Sequence, residues 1–497
     1  MTSHIHIIGI CGVATGAMAI AFKKAGWKVT GSDKGFFPPV STELEKAGVE
    51  FWAGWHPEYM RGFTRIETQI VADKEGSLPD LVLVGNASGS QNPETAYAKE
   101  HDIDILSDAE VRGKFFAKEN NIVCAGTWGK TTTTALLSHI FEYAKRDPSF
   151  VIGGIPLGFN GAKIGNGSWS IIEGDEYKTS PWDDRPKFAH FPPTHLLLTA
   201  VSWDHADMYE TESSYFKTFQ NLVNSIPDKK NIMANIDDPG VKKVIEGSQV
   251  TSYGKSSDST YRYENVRQDK NGLTFEIVHN NTAHRVISPM LGLYNAENIT
   301  GAFAMAREFG ISPDIIIAAI ANFKGLKRRL EKRLEGNLTV IDDIAHSPQK
   351  ARFALLEIRK IYPEAKIFAV FEPNIGGRRR EAAGSYDNAF KDADVVMIPR
   401  LTKLKITNNQ DTRNKQSSNY KTQIQNTKEP MEGKELAKVI NKTHRDVRFI
   451  ENDGKLVELI QNETRSGDVV VFLGSHGFRG MIEETISKIG GLKNTHK

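Results

Sequence analysis

Residues 122–134, Ile122-Val-Cys-Ala-Gly-Thr-Trp-Gly-Lys-Thr-Thr-Thr-Thr134, have the types and spacing to hold an anion and act on it. The run reads as a short buried strand, a glycine turn and the opening of a helix. Gly126 and Gly129 let the backbone turn tightly, so that successive amides can face a phosphate. Lys130 supplies a compact positive charge for terminal phosphates, and Thr131 a hydroxyl to hold Mg²⁺. Thr127, Trp128 and Thr132 complete the turn and the first residues of the helix. The general P-loop pattern has a glycine where Cys124 stands, so the run fits a shorter form, Gly-Thr-x-Gly-Lys-Thr. ATP with Mg²⁺ is the ligand this chemistry points to.

Such a loop needs a carboxylate for the cation, a second metal or substrate ligand, and a place for the base. Glu173-Gly-Asp-Glu-Tyr177 puts three carboxylates in four residues after an apolar strand. Elsewhere that would be an ordinary surface turn; here Glu173 is a candidate Mg²⁺ ligand, because hard cations take carboxylate oxygens. Trp203-Asp-His-Ala-Asp-Met208 follows the next strand. A lone histidine is usually structural, but His205 in this setting suits a metal or substrate contact. Asn295 and Asn298 are three apart and share a helix face, where they either cap the helix or bond to adenine. In Asp342-Asp-Ile-Ala-His-Ser-Pro348 the acids are expected to leave a strand into a proline turn. Lys327-Arg-Arg-Leu-Glu331 reads as a solvated face or as a phosphate contact, for which arginine is apt. Arg378, Arg379 and Arg380 lie just past a strand ending at Phe371 and read either as a solvated turn or as cations for a substrate carboxylate.

Three blocks of alternating strands and helices must position these groups. The first runs from the strand at Ile5–Ile8 through a glycine turn to a helix with Met18, Ile20, Ala21 and Phe22, then the strand Lys28–Asp33. Strand, glycine turn, helix and an acid some twenty residues on is the dinucleotide-fold pattern. Gly9, Gly12 and Gly16 do not make the strict G-x-G-x-x-G, so the block implies a phosphate-binding Rossmann-like domain without specifying NAD. The second block starts near residue 119 with the P-loop, becomes β-rich over 250–290 and is expected to be helical over Leu291–Phe309. The third follows the basic joint Phe323-Lys-Gly-Leu-Lys327 and alternates strands and helices again. Parallel-dominated sheets with ligands at the carboxyl ends of strands follow from all three. Residues 406–428, rich in Asn, Gln, Thr, Ser and Lys, have too few apolar side chains to be buried and read as a polar loop.

At 497 residues the chain has room for two to four domains of the usual ~100–200 residues. A balance of 63 basic against 61 acidic residues, net +2, gives no reason to expect nucleic acid or a membrane surface as partner. Two cysteines, Cys11 and Cys124, make no disulfide framework. No segment approaches the ~20 apolar residues of a membrane span, and a cytoplasmic enzyme of small molecules is expected. A nicotinamide oxidoreductase would leave the P-loop and its acids unused. A GTPase would want Asn-Lys-x-Asp, and Asn441-Lys442-Thr443-His444 fails at the last position.

The order Gly-Thr-x-Gly-Lys-Thr, Glu-x-Asp-Glu-Tyr, Asp-His-x-Asp, Asn-x-x-Asn, Lys-Arg-Arg-Leu-Glu and Asp-Asp-x-Ala-His-x-Pro resembles that of the Mur ligases along nearly the whole chain. The resemblance implies a three-domain α/β fold: a UDP-sugar-binding Rossmann-like domain (1–118), a central P-loop ATPase domain (119–324) and a Rossmann-like C-terminal domain (325–497). It implies ATP and Mg²⁺, with Lys130, Glu173 and His205 catalytic, and Thr131, Glu173 and His205 as metal ligands. Asn295, Arg329 and Asp343 would contact adenine, phosphate and ribose, and Gly12 and Asp33 the UDP-sugar. Gly9-Ile-Cys-Gly12, Gly31-Ser-Asp33, Pro38-Pro-Val-Ser-Thr42, Phe150–Pro156 and Asp204-His-Ala-Asp207 look closest to the branch joining L-alanyl-γ-D-glutamyl-meso-diaminopimelate to UDP-N-acetylmuramate. The alternative is the branch adding a single L-alanine. Trp128 departs from the family's usual His, Thr199 from an Asn, and Asn374 from an Arg, with Arg378 to Arg380 nearby as substitutes.

Overall fold

The computed structural model describes residues 3–61, 63–66, 69–72, 76–86, 91–402, 430–475 and 477–490; the polar stretch 406–428 lies outside the described residues. The chain divides into two compact units, Met1–Arg267 with Gly272–Leu326, and Gln268–Asn271 with Lys327–Lys497.

The first unit holds two large sheets. The strand β1 (His4–Ile8) is buried at all five positions, as a parallel strand covered on both faces must be. It pairs in parallel with β2 (Lys28–Asp33) and with β4 (Leu81–Val84). With β3 (Glu50–Ala53) and β5 (Asp104–Ser107) the order is β3-β2-β1-β4-β5, the order of a dinucleotide-type sheet reversing direction at β1. Between β1 and β2 the helix α1 (Val13–Lys24) buries Met18, Ile20, Ala21 and Phe22. A second helix, α2 (Pro93–Glu100), starts on Asn92, whose side chain accepts from the Glu94 amide. That cap and the proline at the first helical position define its start.

The second sheet has ten strands: β7 (Ser149–Val151) and β8 (Ala162–Lys163) lie at one margin, and β6 (Asn120–Ala125), β9 (Trp169–Gly174) and β10 (His195–Leu198) are parallel at its centre. Antiparallel pairs lie toward its margins, as in Gly272–His279 with Thr282–Ser288. The helix α4 (Glu212–Ser225) follows β10, and the P-loop helix α3 (Lys130–Tyr143) packs on α5 (Asn295–Glu308). Gly301, Ala302, Ala304 and Ala306 are buried on α5, and side chains this small let two helices approach closely. α5 starts at Asn295 and not at Leu291, because Gly292 adopts φ +95° and turns the chain before the helix opens.

The second unit is a six-stranded sheet with four parallel pairings at its centre and one antiparallel edge. Asp342 and Asp343 do not leave the strand, as the sequence suggested; they are its last two residues, Thr339–Asp343, and are buried. Among the described residues no helix is long and apolar enough to cross a membrane.

Candidate active site

The P-loop lies between β6 and α3. Gly126 and Gly129 have φ +144° and +82°, and a Cβ on either would collide, with Thr199 Oγ1 at Gly126 and with Asn298 Oδ1 at Gly129. Only glycine fits both positions. The α3 N-terminus opens on Gly129 with no capping side chain and no acid in its first turn, which suits an incoming phosphate. Thr127 does not face outward. Its hydroxyl bonds to the Ser202 carbonyl (3.0 Å) and to Tyr215 Oη (2.8 Å), tying the loop to the chain beyond β10. Thr199 donates to the carbonyls of Ala125 and Trp128. The residue that departs from the family pattern thus holds the loop's backbone. Trp128 is 59% exposed.

Lys130 points to the strand end after β9. Its ammonium lies 3.0 Å from Glu176 Oε2 and 3.2 Å from Oε1. Burial alone would lower its pKa, but Glu176, Glu173 and Asp175 raise it, so it stays charged. Thr131 donates to Glu173 Oε1 (2.9 Å), and Glu173 Oε2 accepts from the Gly153 amide (2.6 Å). One hydroxyl and one carboxylate therefore converge beside the loop. Mg²⁺ keeps several waters and takes one or two carboxylates plus substrate phosphates, and this pair fits it. Among the described residues no three His, Cys, Asp or Glu side chains form a ready cation cage.

His205 meets Glu176 and is not hydrogen-bonded to Glu173: Nε2 lies 3.4 Å from Glu176 Oε1, and the residue adopts φ +54°. Its pKa is raised, chiefly by that contact with Glu176. Glu176, 1% exposed, thus joins Lys130 to His205. In the sequence it is only one of three acids in four residues. Asp175, the third, pairs with Lys187 at 2.7 Å. Burial alone would raise its pKa; Lys187 and then Lys130 bring it down to about 2.

Lys130, Glu173, Asp175 and Lys187 share a cavity of about 380 Å³ with the glycine turn of the first sheet. Gly9, Gly12, Asp33, Trp55 and Asn86 line it on one side, and Lys130, Gly153, Glu173 and Asp175 on the other. Asp33 accepts from the Cys11 amide at 2.9 Å, closing the turn after β1. Arg112, also lining the cavity, is held by Asp108 through two bonds of 2.9 and 2.6 Å. Lys187 and Arg112 are cavity residues that the sequence reading did not single out, since their partners are set by the fold.

Asn295 and Asp343 have hydrogen-bond partners of their own. Asn295 donates to the Leu291 carbonyl (2.7 Å) and accepts from Asn298 (3.0 Å). It is not the cap of α5, which is Tyr294 with no capping bond. In the second unit Asp343 accepts from the amides of Leu330 and Ala345 (2.8 and 2.9 Å), and burial raises its pKa. Arg328 is bound to the carbonyls of Gly474 and Ser475, whereas Arg329 is exposed.

The arginine triplet is split. Arg378 is buried, donating to Met431 O (3.1 Å), Thr402 O (2.9 Å) and Glu432 Oε1 (3.0 Å). Arg379 is exposed, and Arg380 pairs with Glu435. Of the three arginines that the sequence offers as a solvated turn or as substrate cations, Arg378 is the one held by main-chain carbonyls. Asn374 accepts from the Gly377 amide (2.9 Å) and shapes the same turn.

Three family descriptions match the chain: the Mur ligase family catalytic domain over residues 4–119, the Mur ligase middle domain over 124–306 and the Mur ligase glutamate ligase domain over 328–476. The chain is 32% identical over 377 residues to the UDP-N-acetylmuramate–L-alanyl-γ-D-glutamyl-meso-2,6-diaminoheptandioate ligase of Haemophilus influenzae, covering 74% of this chain and 79% of that protein. It is 29% identical to the UDP-N-acetylmuramate–L-alanine ligase of Pelagibacter ubique, covering 80% and 83%. Its fold is like that of the crystal structure of a UDP-N-acetylmuramate-alanine ligase from Thermotoga maritima, with a TM-score of 0.75 at 20% identity over 99% of this chain and 100% of that one. The parallel sheets, the P-loop with its acids and these matches agree: the chain belongs to the Mur ligase family of ATP-dependent ligases that form amide bonds.

Proposed function

We propose that this ligase joins L-alanyl-γ-D-glutamyl-meso-diaminopimelate to UDP-N-acetylmuramate through an acyl phosphate. The observation that carries the reading is the single cavity shared by a dinucleotide-type glycine turn and a P-loop lysine. A sugar nucleotide anchored at Gly12 and Asp33 then has its lactyl carboxylate within the reach of groups that handle a γ-phosphate. The 32% identity to a ligase named for the tripeptide supports the choice of amine.

A carboxylate is a poor electrophile, since its charge repels nucleophiles and it has no leaving group. Transfer of the γ-phosphoryl group of ATP to a carboxylate oxygen gives the acyl phosphate and ADP. Attack by the peptide's α-amine forms the amide, expels inorganic phosphate and releases a proton. Lys130 and the amides at the start of α3 stabilise charge on the phosphoryl oxygens. Thr131 and Glu173 would hold Mg²⁺, which supplies further positive charge beside the phosphates when bound. His205 would contact a second cation or the sugar carboxylate, with Glu176 orienting it. Asn295, Arg329 and Asp343 are assigned to adenine, phosphate and ribose, and Arg379 and Arg380 to the far carboxylates of the tripeptide. An α-amine of pKa near 8 is roughly a tenth deprotonated at pH 7, so a dedicated base is unnecessary.

The 29% identity to an L-alanine ligase favours a second reading, addition of L-alanine alone. ADP release measured with UDP-N-acetylmuramate and either amine separates them. The proposal expects turnover with tripeptide and little with alanine; the reverse would move the protein to the alanine-adding branch.

A further inference from the structure

The wall of the cavity built from the first sheet is fixed by a buried group that none of the chemical steps uses. Glu94, on the first turn of α2, has no exposed surface. Its Oε1 accepts from the Trp52 indole N–H (3.2 Å) and from the His56 amide (2.8 Å). Its Oε2 accepts from the Ser32 hydroxyl and faces His6 Nε2 at 3.4 Å. One carboxylate thereby gathers β1, the end of β2, β3 and the turn after β3.

Two of these contacts, Ser32 and His56, adjoin residues that line the cavity. Ser32 precedes Asp33, and its carbonyl accepts from the amides of Gly9 and Ile10 (2.8 and 3.1 Å), which holds the glycine turn. His56 follows Trp55, and the Asp33 carbonyl accepts from the Gly54 amide at 2.7 Å. Gly9, Asp33 and Trp55 all line the cavity. Burial alone would raise the Glu94 pKa, but the contacts with His6, Ser32 and the His56 amide bring it below the ordinary value. The fixed charge matters because a carboxylate only accepts hydrogen bonds. Trp52 and the His56 amide are obligate donors, so an amide nitrogen cannot take the place of Oε1. Turned the other way, it would face Ser32 and His6, whose protons must both rearrange.

We propose that Glu94 is a positioning residue for the sugar-nucleotide side of the cavity, holding the glycine turn, Asp33 and Trp55 in register with one another. This rests on the reading that UDP-N-acetylmuramate binds there. The test compares wild type, Glu94→Gln and Ser32→Ala by melting temperature, calorimetric binding of UDP and of UDP-N-acetylmuramate, and separate KM values for each substrate. Glu94→Gln should weaken UDP and UDP-N-acetylmuramate by about tenfold or more, the usual effect of spoiling hydrogen bonds to a buried charge, while KM for ATP and kcat at saturating sugar stay within about twofold. Ser32→Ala removes one of the four contacts with a smaller side chain, and should shift the same constants in the same direction, by less. It carries the test should Glu94→Gln fail to fold. Folded variants with a lower melting temperature but unchanged sugar-nucleotide constants would overturn the proposal and leave Glu94 as a core residue only. A wild-type protein that binds neither UDP nor UDP-N-acetylmuramate would overturn the underlying reading, and the proposal with it.

Discussion

Two places in this chain put a cation past the end of a central parallel strand, and they hold it in opposite ways. At the P-loop, Lys130 faces carboxylates: Glu176 at 3.0 Å, with Glu173 and Asp175 adding to its positive charge state from farther off. In the second unit, Arg378 follows the strand Ile367–Glu372 and donates chiefly to the main-chain carbonyls of Met431 and Thr402. A carboxylate partner can be exchanged for a phosphate, so a lysine held this way is available to a ligand that brings its own negative charge. A buried carbonyl such as that of Met431 is out of reach of water, and an arginine that satisfies it is a fastening. The chemistry of the partner separates the two roles where charge and position along the chain do not.

The comparison breaks first if Lys130 proves to be a fastening. Lys130→Ala should lower ligation by on the order of 10²–10³, with melting temperature and UDP-N-acetylmuramate binding nearly unchanged. Turnover measured beside calorimetric binding checks this, and wild-type turnover would remove the lysine from phosphoryl transfer.

Arg378 should behave in the opposite way. Arg378→Ala strands the buried Met431 carbonyl and removes a donor from that of Thr402, and should cost about 1–3 kcal/mol of stability. Arg379→Ala, at an exposed position, should leave the melting curve in place and raise the KM for tripeptide. Denaturant melts and kinetics on both variants decide the matter; a stable Arg378→Ala protein with a raised peptide KM would return that residue to the substrate site.

The smallest effect concerns a cavity pair fixed by charge on both sides. Asp175 is held at about 2 in the folded protein, against an ordinary value of 3.8, with Lys187 the strongest of the groups that lower it. A depressed carboxylate pKa contributes stability that is present above 3.8 and lost as pH falls through about 2. Lys187→Met should therefore lower the melting temperature most above pH 4, with the gap to wild type closing on acidification. A gap independent of pH would show that Lys187 contributes packing and not charge.

Much of the site could be read before folding was considered, because its signals are local. Gly126, Gly129, Lys130 and Thr131 lie within six residues, and Glu173 closes an apolar strand. Strands buried on both faces, such as His4–Ile8, are visible as runs, and the parallel sheets follow from their alternation with helices. The unread parts depend on contacts between distant positions. Asn92-Pro-Glu94 announces a helix start, but the direction of the Glu94 carboxylate is set by residues 38 to 88 positions away. Arg378 looked like its two neighbours because nothing in Arg-Arg-Arg tells which guanidinium turns inward to Met431 and Thr402. Glu173 and Glu176 have the same side chain, and only the strand end separates the one bound to Thr131 from the one bound to Lys130.

The central claim is that the γ-phosphoryl group of ATP passes to the lactyl carboxylate of UDP-N-acetylmuramate. UDP-N-acetylmuramate labelled with ¹⁸O in its lactyl carboxylate, turned over with ATP and tripeptide, tests it most directly by mass spectrometry of the phosphate released. An acyl phosphate predicts one ¹⁸O atom carried from the carboxylate into inorganic phosphate at each turnover. Unlabelled phosphate alongside newly formed amide would contradict the account.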